Sequence, residues 1–361
     1  MDATDSPPRR PVAALWWATR FALALFLFVG ALQVMAEGAE GLSVLRGDGA
    51  LVHNAGSTLG LGWLGALLVL SGSPVAASAM ALVKADTLTE IEGFTMLTGS
   101  RLGAAFVVLL VAVIYALKGG AGGRYKPVST AMLTLCATIL IYVPGALIGF
   151  ALLRWSPLED VSLRFPAGFG NLIDFVYGGL LDLVADLPSA VLFLGGLGIL
   201  LLSFKLIDTV LPHLGEEDIE STRLEWLKRK WPMFGLGCLV ALVTMSVSVA
   251  LSVLVPLVVK GYVKREAILP YIMGANITTL GDTLLAAFLL HSPEAVRIVL
   301  AGIIGTAVVS VAILAFAYAP VRSAVWKFQR QMIRSRPRLA GFTAALFVVP
   351  IAIMGASAAI R

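Results

Sequence analysis

Long apolar runs recur along the whole chain and are separated by short polar or charged segments. Each run contains about twenty residues or more, the length that an α-helix needs to cross the hydrocarbon core of a bilayer. The runs are continuous rather than alternating, which predicts helices and not the strands of a membrane barrel. They cover residues 15–35, 58–83, 95–117, 128–153, 188–211, 233–259, 267–291, 296–320 and 340–360. The pattern predicts an all-α polytopic membrane protein.

Composition agrees with this class and narrows the expected partners. Of 361 residues, 58% are hydrophobic and only 14% are charged. In such a protein a net charge of +5 indicates basic cytoplasmic loops, so nucleic acid is not an expected partner. The two cysteines lie inside apolar runs and are interpreted as helix-packing residues. No nucleophile and base are arranged as in an enzyme, and no cofactor is expected.

Basic residues assign the ends of the runs to the two sides of the membrane. Arg9, Arg10 and Arg20 place the amino terminus in the cytoplasm, so the first run leads outward. The basic loop KGGAGGRYKP at residues 118–127 should also be cytoplasmic, yet two further runs precede it. Both conditions hold if the second run, interrupted at residues 71–74, enters the membrane and returns to the outer face.

The second half raises the same conflict from the other side. Basic residues both precede and follow the sixth run, at residues 228–230 and 260–265, so this run should re-enter from the cytoplasm. Residues 84–92 are therefore expected outside and residues 260–267 inside. Charge counting thus predicts two units of opposite orientation, each with a span, a re-entrant hairpin and two further spans.

An internal repeat falls on the two predicted hairpins. GLGWLGALLVLSGS at residues 60–73 and GLGCLVALVTMSVS at 235–248 lie 175 positions apart, and eight of their fourteen residues are identical. The fold class expected is therefore two inverted repeats, each with a re-entrant broken helical hairpin. The expected segments are a cytoplasmic tail (1–14), repeat 1 (15–153), an extracytoplasmic connection (154–187), repeat 2 (188–320), a basic cytoplasmic loop (321–339) and a final transmembrane helix (340–361).

Inverted repeats with broken helices at matching places are typical of secondary transporters. A helix broken at membrane depth leaves backbone groups that protein, water or a ligand must satisfy. Hydroxyl groups beside the break can bind a hard cation, and half-helix amino termini favour anions. The repeat therefore makes Ser71, Ser73, Ser246 and Ser248 candidate ligands. The alternative is that these serines bond only to their own helix or to a neighbouring helix.

The second half also carries a motif of a known family. YIMGANITTLGDTLLAAF at residues 271–288 resembles the Gly-Ala-Asn-Ile-Gly-Thr-Thr segment of the sodium/phosphate cotransporter family. Twenty-eight residues upstream, where that family has Gln-Ser-Ser-Ser, this chain has MSVS at residues 245–248. In the first half, LSGS at residues 70–73 and TGSRLG at residues 98–103 hold the corresponding places.

The resemblance implies a divergent member that performs sodium-coupled symport of inorganic phosphate or a related small oxyanion by alternating access. Sodium is then the coupling ion, and the bilayer and a small anion are the partners, with a homo-oligomer left open. Its location would be the cell membrane. Asn276, Thr278 and Thr279 are expected to join the serines in one substrate or cation site.

One departure from the family motif keeps a second function open. Leu70 and Met245 stand where the family has glutamine, and this change removes one acceptor and two donors from each motif. The chain would then be a transporter-like membrane protein that has lost coupled transport and acts as an assembly or regulatory partner.

Arg101 is a charged residue inside an apolar run, at the position that the repeat aligns with Asn276. Such a residue is a functional candidate by default. It either extends to the outer interface or pairs with Asp282, in the seventh run, where the two motif regions meet. A paired Arg101 could leave Asp282 and bind an incoming anion instead. Alternatively, its positive charge could take the place of a bound cation.

Overall fold

The computed structural model describes residues 10–42, 52–118, 125–155, 158, 167–210, 229–244, 250 and 267–359. All regular elements in these residues are helices, which confirms the predicted all-α class. They are α1 (Arg10–Glu40), α2 (Ala55–Val69), α3 (Gly72–Lys84), α4 (Glu90–Lys118), α5 (Tyr125–Arg154), α6 (Ala167–Val184), α7 (Ser189–Val210), α8 (Lys230–Thr244), α9 (Ile268–Thr278), α10 (Gly281–Leu289), α11 (Pro293–Ala312), a π-helical segment (Ile313–Ala317), α12 (Tyr318–Ile333) and α13 (Arg336–Ala359).

Six stretches in the described residues are long and apolar enough to cross a membrane, which supports the predicted membrane class. They are Ala18–Glu40, Ala131–Arg154, Ser189–Ile207, Ile268–Leu289, Pro293–Ile333 and Pro337–Ala359. By contrast α2, with 15 residues, and α3, with 13, reach only about 22 and 20 Å at 1.5 Å per residue. Neither helix alone matches a hydrocarbon core of about 30 Å.

Helix α2 runs parallel to α4. Near the start of both helices, the hydroxyl groups of Thr58 and Thr95 lie 2.7 Å apart. Further along, Gly103 packs so closely on α2 that a Cβ at this position would lie 2.8 Å from the Cβ of Ala66. Residue numbers at the contacts therefore increase together on both helices, as parallel packing requires.

Helix α3 returns along α4 in the opposite direction. A Cβ on Gly72 would lie 2.8 Å from the Cβ of Ala104, and one on Gly93 would lie 2.3 Å from Val83. The reversal takes place at Leu70, which has a left-handed backbone with φ 56°. This conformation is unfavourable for a residue with a side chain, so the close fit of Gly72 against α4 must hold it in place. Helices α2 and α3 thus form a hairpin whose turn lies beside the middle of α4.

Glycines bring two pairs of helices into contact in the same register. A Cβ on Gly62 of α2 would lie 2.1 Å from the carbonyl oxygen of Met96 on α4. A Cβ on Gly237 of α8 would lie 2.0 Å from the carbonyl oxygen of Tyr271 on α9. Both members of the first contact are 175 residues before their counterparts in the second.

A second pair of contacts follows the same offset. A Cβ on Gly99 of α4 would lie 2.0 Å from the carbonyl oxygen of Leu59 on α2. A Cβ on Gly274 of α9 would lie 2.1 Å from the carbonyl oxygen of Phe234 on α8. Small residues at these crossings allow the backbones to approach, as in other membrane helix pairs. The two helix pairs therefore pack in equivalent ways.

Helices from corresponding runs of the two halves also pack antiparallel to one another. In α1 and α7, Ser203 donates to the carbonyl oxygen of Ala24 at 2.8 Å, and at the other end Gly38 lies against Phe193. Helices α5 and α11 cross at Gly145 and Gly305, where a Cβ on Gly305 would lie 2.2 Å from the Gly145 carbonyl oxygen.

Contacts between helix ends separate two faces of the bundle. At one face, Thr87 donates to the carbonyl oxygen of Ala39 at 2.7 Å, and Gln33 donates to that of Leu289 at 3.1 Å. At the far end of α11, Lys230 donates to the carbonyl oxygen of Leu314 at 2.5 Å. The ends of α1, α3 and α10 therefore lie towards one face, and the start of α8 lies beside the π-helical segment at the far end of α11.

Helix ends fall within three of the predicted segments, whose assignment to one side of the membrane stays a prediction. Helix α1 begins at Arg10, within the segment that was predicted to be a tail. The interruption of the second run is at Leu70 and Ser71, because residues 72–74 already form the first turn of α3. The predicted basic loop at 321–339 is largely helical: α12 continues to Ile333 and α13 begins at Arg336, with basic side chains on the outer face of α12. Residues 245–249 and 251–266 lie outside the described residues, and with them Ser246, Ser248 and the return arm of the second predicted hairpin.

Cysteine labelling tests the direction of the α2–α3 hairpin. Single cysteines at Glu40 and Asp86, both exposed, should label from the same side of intact cells, in a background with Cys136 and Cys238 replaced by serine. Thr87 bonds to Ala39, so the end of α3 lies beside the end of α1, and the predicted re-entrant hairpin puts no membrane crossing between the two positions. A cysteine at the exposed Lys327 should label only from the other side. Labelling of Glu40 and Asp86 from opposite sides would mean that α2 and α3 together cross the membrane.

Candidate functional site

The side chain of Arg101 is buried in the middle of the bundle. Its exposed fraction is 3%, and that of Asp282 is 2%. Arg101 Nη2 lies 3.1 Å from Asp282 Oδ1 and donates to Thr283 Oγ1 at 2.6 Å. The predicted pairing of Arg101 with Asp282 is confirmed, and the alternative of an arginine extending to the interface is wrong, because the internal carboxylate holds the guanidinium.

The carboxylate of Asp282 lies just after a short irregularity in the helical span Ile268–Leu289. Helix α9 ends at Thr278 and α10 begins at Gly281. Thr279 and Leu280 between them keep right-handed helical angles, and their N–H groups donate to the carbonyl oxygens of Ala275 and Ile277. Thr283 donates to Asp282 Oδ1 from its backbone nitrogen at 2.5 Å and from its hydroxyl at 2.8 Å. Thr283 therefore holds the carboxylate of Asp282 in place independently of Arg101.

The tip of the α2–α3 hairpin reaches the same ion pair. Ser73, in the first turn of α3, accepts a hydrogen bond of 3.4 Å from Arg101 Nη1. Ser71 is the residue that precedes α3, and its side chain makes no capping bond to that helix. The site therefore combines a hairpin tip from the first half with an irregular helical span from the second.

Two buried atoms of the ion pair make no hydrogen bond within the part of the chain that the structure describes: Arg101 Nε and Asp282 Oδ2. Burying a charged pair has a desolvation cost that the attraction between the charges often fails to offset. Each buried polar atom left without a partner costs about 1–3 kcal/mol more. The pair therefore contributes little to the stability of the fold for what its burial costs. Arg101 Nε and Asp282 Oδ2 could still bond to a ligand.

A second polar cluster lies on α9 and α5. The Asn276 side chain donates from Nδ2 to the Thr138 hydroxyl at 3.0 Å, and the backbone carbonyl oxygen of Asn276 accepts from the Tyr142 hydroxyl at 2.7 Å. Thr279 donates to the same carbonyl oxygen at 3.3 Å. Thr279 lies three residues before Asp282, so this cluster ends about one helical turn from the ion pair.

Thr278 faces a different helix from Asn276. Its hydroxyl donates to the carbonyl oxygen of Cys238 on α8 at 2.8 Å. Of the predicted ligands, the structure brings together Ser73, Arg101 and Asp282. It places Asn276 and Thr279 in the separate cluster on α9 and α5, and directs Thr278 towards α8.

Three residues of the site were missed by sequence reasoning: Thr283, Thr138 and Tyr142. Thr283 directly follows Asp282, and Thr138 and Tyr142 lie four residues apart, so they share one face of the fourth apolar run. Hydroxyl groups repeated at helical spacing in an apolar run were the available signal. The partner helix of that face could not be read from the sequence.

A cation at this site would be held mainly by oxygen atoms of hydroxyl, amide and carbonyl groups. In the described residues, no three side chains of His, Cys, Asp or Glu come together as a metal site. Asp282 is the one carboxylate of the cluster described above, and hard cations are bound by such oxygen ligands.

Comparison of the chain with family models, with curated proteins and with solved structures finds no match.

Removing one partner of the ion pair should destabilise the protein more than removing both. In Asp282→Ala the guanidinium stays buried without a counter-charge, so we expect the free energy of unfolding to fall by about 3–5 kcal/mol. The double variant Arg101→Ala, Asp282→Ala should recover part of this loss. Thermal unfolding in detergent measures both effects.

The matched control is Glu90→Ala, which breaks the pair with Arg297. Its loss should be smaller, because both of these side chains are partly exposed. Equal melting temperatures for Asp282→Ala and Glu90→Ala would show that the buried pair has no special energetic role.

Proposed function

We propose that this protein is a secondary active transporter that couples a cation, sodium, to the symport of inorganic phosphate or a related small oxyanion. It works by alternating access in the cell membrane, with a cytoplasmic amino terminus. The observation that carries the proposal is the buried Arg101–Asp282 pair, in which one partner lies on α4 and the other just after the irregularity between α9 and α10.

The helix packing supports an inverted repeat. Equivalent elements related by a two-fold axis in the membrane plane must run in opposite directions, and α1 with α7 and α5 with α11 do so. The glycine contacts of α2 with α4 recur between α8 and α9 at the same offset of 175 residues. The Arg101–Asp282 pair joins the two halves at their motif regions, which is where substrate sites of inverted-repeat transporters lie.

The chemistry of Arg101 suits a small oxyanion. A guanidinium is permanently charged and can hold an oxyanion through two parallel hydrogen bonds. In the described conformation Asp282 and Thr283 occupy one end of the group, while Nε remains without a partner in the described residues. Asp282 thus stands where an incoming anion would compete for Arg101.

Competition for Arg101 also supplies a reason for coupling. When an oxyanion takes the guanidinium, Asp282 is left buried with an uncompensated negative charge, which is costly in a low-dielectric interior. A sodium ion beside Asp282 would remove this cost. Its remaining ligands would be oxygens close to that carboxylate, such as the Thr283 hydroxyl. Anion and cation would therefore bind best together.

A specific observation also favours the second candidate function, an assembly or regulatory partner without transport. Leu70 replaces the family's glutamine, and 57% of its surface is exposed, so this position adds no polar group to the site. Coupled transport remains the better-supported proposal, because a purely structural partner has no need for a buried pair with unsatisfied atoms.

Variants of the ion pair should change phosphate binding in opposite directions. Arg101→Ala should abolish binding, because it removes the group that holds the anion. Asp282→Asn should bind phosphate more tightly in the absence of sodium, by roughly tenfold or more, because the competing charge is gone; tenfold corresponds to about 1.4 kcal/mol. Isothermal titration of purified protein, with and without sodium, measures both.

Arg297→Ala is the control for these titrations, since it removes an arginine that pairs with Glu90 away from the site. It should bind phosphate as the wild type does. Binding by Arg101→Ala with wild-type affinity would remove Arg101 from the substrate site.

Asn276→Ala should abolish uptake while the protein is still produced and folded. The change leaves the Thr138 hydroxyl without its partner and removes a polar group from the α9–α5 cluster, at a cost on the order of 1–3 kcal/mol. Gln33→Ala is the matched control, because it removes another side-chain amide that bonds within the bundle, to Leu289. Uptake of labelled phosphate that is equal in the two variants would place the site elsewhere.

A further inference from the structure

Helix α12 follows the end of a helix that is long enough to cross the membrane. The 20 residues of α11 extend about 30 Å, which matches the hydrocarbon core. The π-helical segment comes next, and the backbone departs from helical angles at Ala317, with φ −127° and ψ 16°, just before α12 begins. Helix α12 is therefore a separate segment at the end of this span.

The outer face of α12 is basic and concave. Arg322, Trp326, Arg330 and Arg334 follow one another at intervals of four residues, and with Lys327 they line a groove of about 470 Å³. Residues four apart share one face of a helix. Within α12 itself, no acidic residue lies between these basic side chains.

The opposite face of α12 is fixed to the bundle. Val325 and Gln329 are buried, and Gln329 donates to the hydroxyl of Ser129 on α5. Phe328 packs edge-to-face on Phe342 of α13, with ring centroids 5.7 Å apart. The basic groove thus lies on the side of α12 that faces away from α5 and α13.

Aromatic side chains at this level indicate the lipid headgroup region. The guanidinium of Arg330 lies 5.6 Å from the ring centre of Trp326, and Lys230 lies 5.7 Å from that of Tyr318. Tryptophan, tyrosine and basic residues together are typical of the membrane interface on the cytoplasmic side. A groove at this depth is reached by headgroups before it is reached by soluble molecules.

We propose that the groove lined by Arg322, Trp326, Lys327, Arg330 and Arg334 binds the phosphate headgroup of an anionic phospholipid in the adjacent leaflet. Arginine matches the planar geometry of phosphate oxygens, and lysine adds charge without a directional requirement. This site is separate from Arg101 and does not depend on the proposed transport. It would attach α12, and with it the end of α11, to the membrane surface.

Native mass spectrometry of the purified full-length protein tests the site. The wild type should retain added phosphatidylglycerol in preference to phosphatidylcholine. The triple variant Lys327→Gln, Arg330→Gln, Arg334→Gln should lose this preference by about tenfold or more, as expected for three phosphate-facing charges. The charge-conserving variant Lys327→Arg, Arg330→Lys, Arg334→Lys should keep it, which separates loss of binding from misfolding.

The matched control removes three exposed basic residues elsewhere, with Arg20→Gln, Lys84→Gln and Arg154→Gln, and should retain the lipid as the wild type does. An equal loss in this control, or full retention in the α12 triple variant, would overturn the proposal. Titration with inorganic phosphate is the second arm. Displacement of the lipid by millimolar phosphate, with binding that needs the α12 charges, would show that the groove serves a soluble anion instead.

Discussion

The buried pairing of Arg101 with Asp282 is the interaction on which the arrangement of the site depends. Two opposite charges, each almost fully removed from solvent, are held 3.1 Å apart between α4 and the irregularity that precedes α10. Neither charge is tolerable there without the other, so the pair fixes how the two halves of the molecule meet. In the proposed mechanism, an anion that binds Arg101 leaves Asp282 in need of a cation.

The surrounding packing provides the precision that such a pair needs. Glycines at the α2–α4 and α8–α9 crossings bring backbones into contact, and at each crossing a Cβ would lie about 2 Å from a carbonyl oxygen. The α2–α3 turn at Leu70 then delivers Ser73 to the guanidinium. Antiparallel packing of α1 with α7 and of α5 with α11 leaves the motif helices at the centre. Each constraint restricts where the charges can lie.

Sequence reasoning identified the membrane class from run length, and the Arg101–Asp282 contact from depth and repeat register. It could do so because a charge in an apolar run must find a partner, and the repeat offset indicated where. It missed Thr138 and Tyr142, since the partner of a polar helix face depends on tertiary packing. It also placed a loop at 321–339, where the apolar pattern ends at Pro320 but an amphipathic helix continues on buried Val325 and Gln329. The irregularity before Asp282 had no clear signal, because Thr278 to Gly281 contains no proline and only one glycine.

Counterflow of labelled phosphate tests coupled transport by this protein most directly. The wild-type protein would be reconstituted in liposomes loaded with unlabelled phosphate, and labelled phosphate would be followed with and without an inward sodium gradient. We predict exchange above protein-free liposomes and a clear increase when sodium is present on both sides or directed inward. Counterflow equal to that of protein-free liposomes under every cation condition would contradict transport and favour a protein that only assembles with or regulates others.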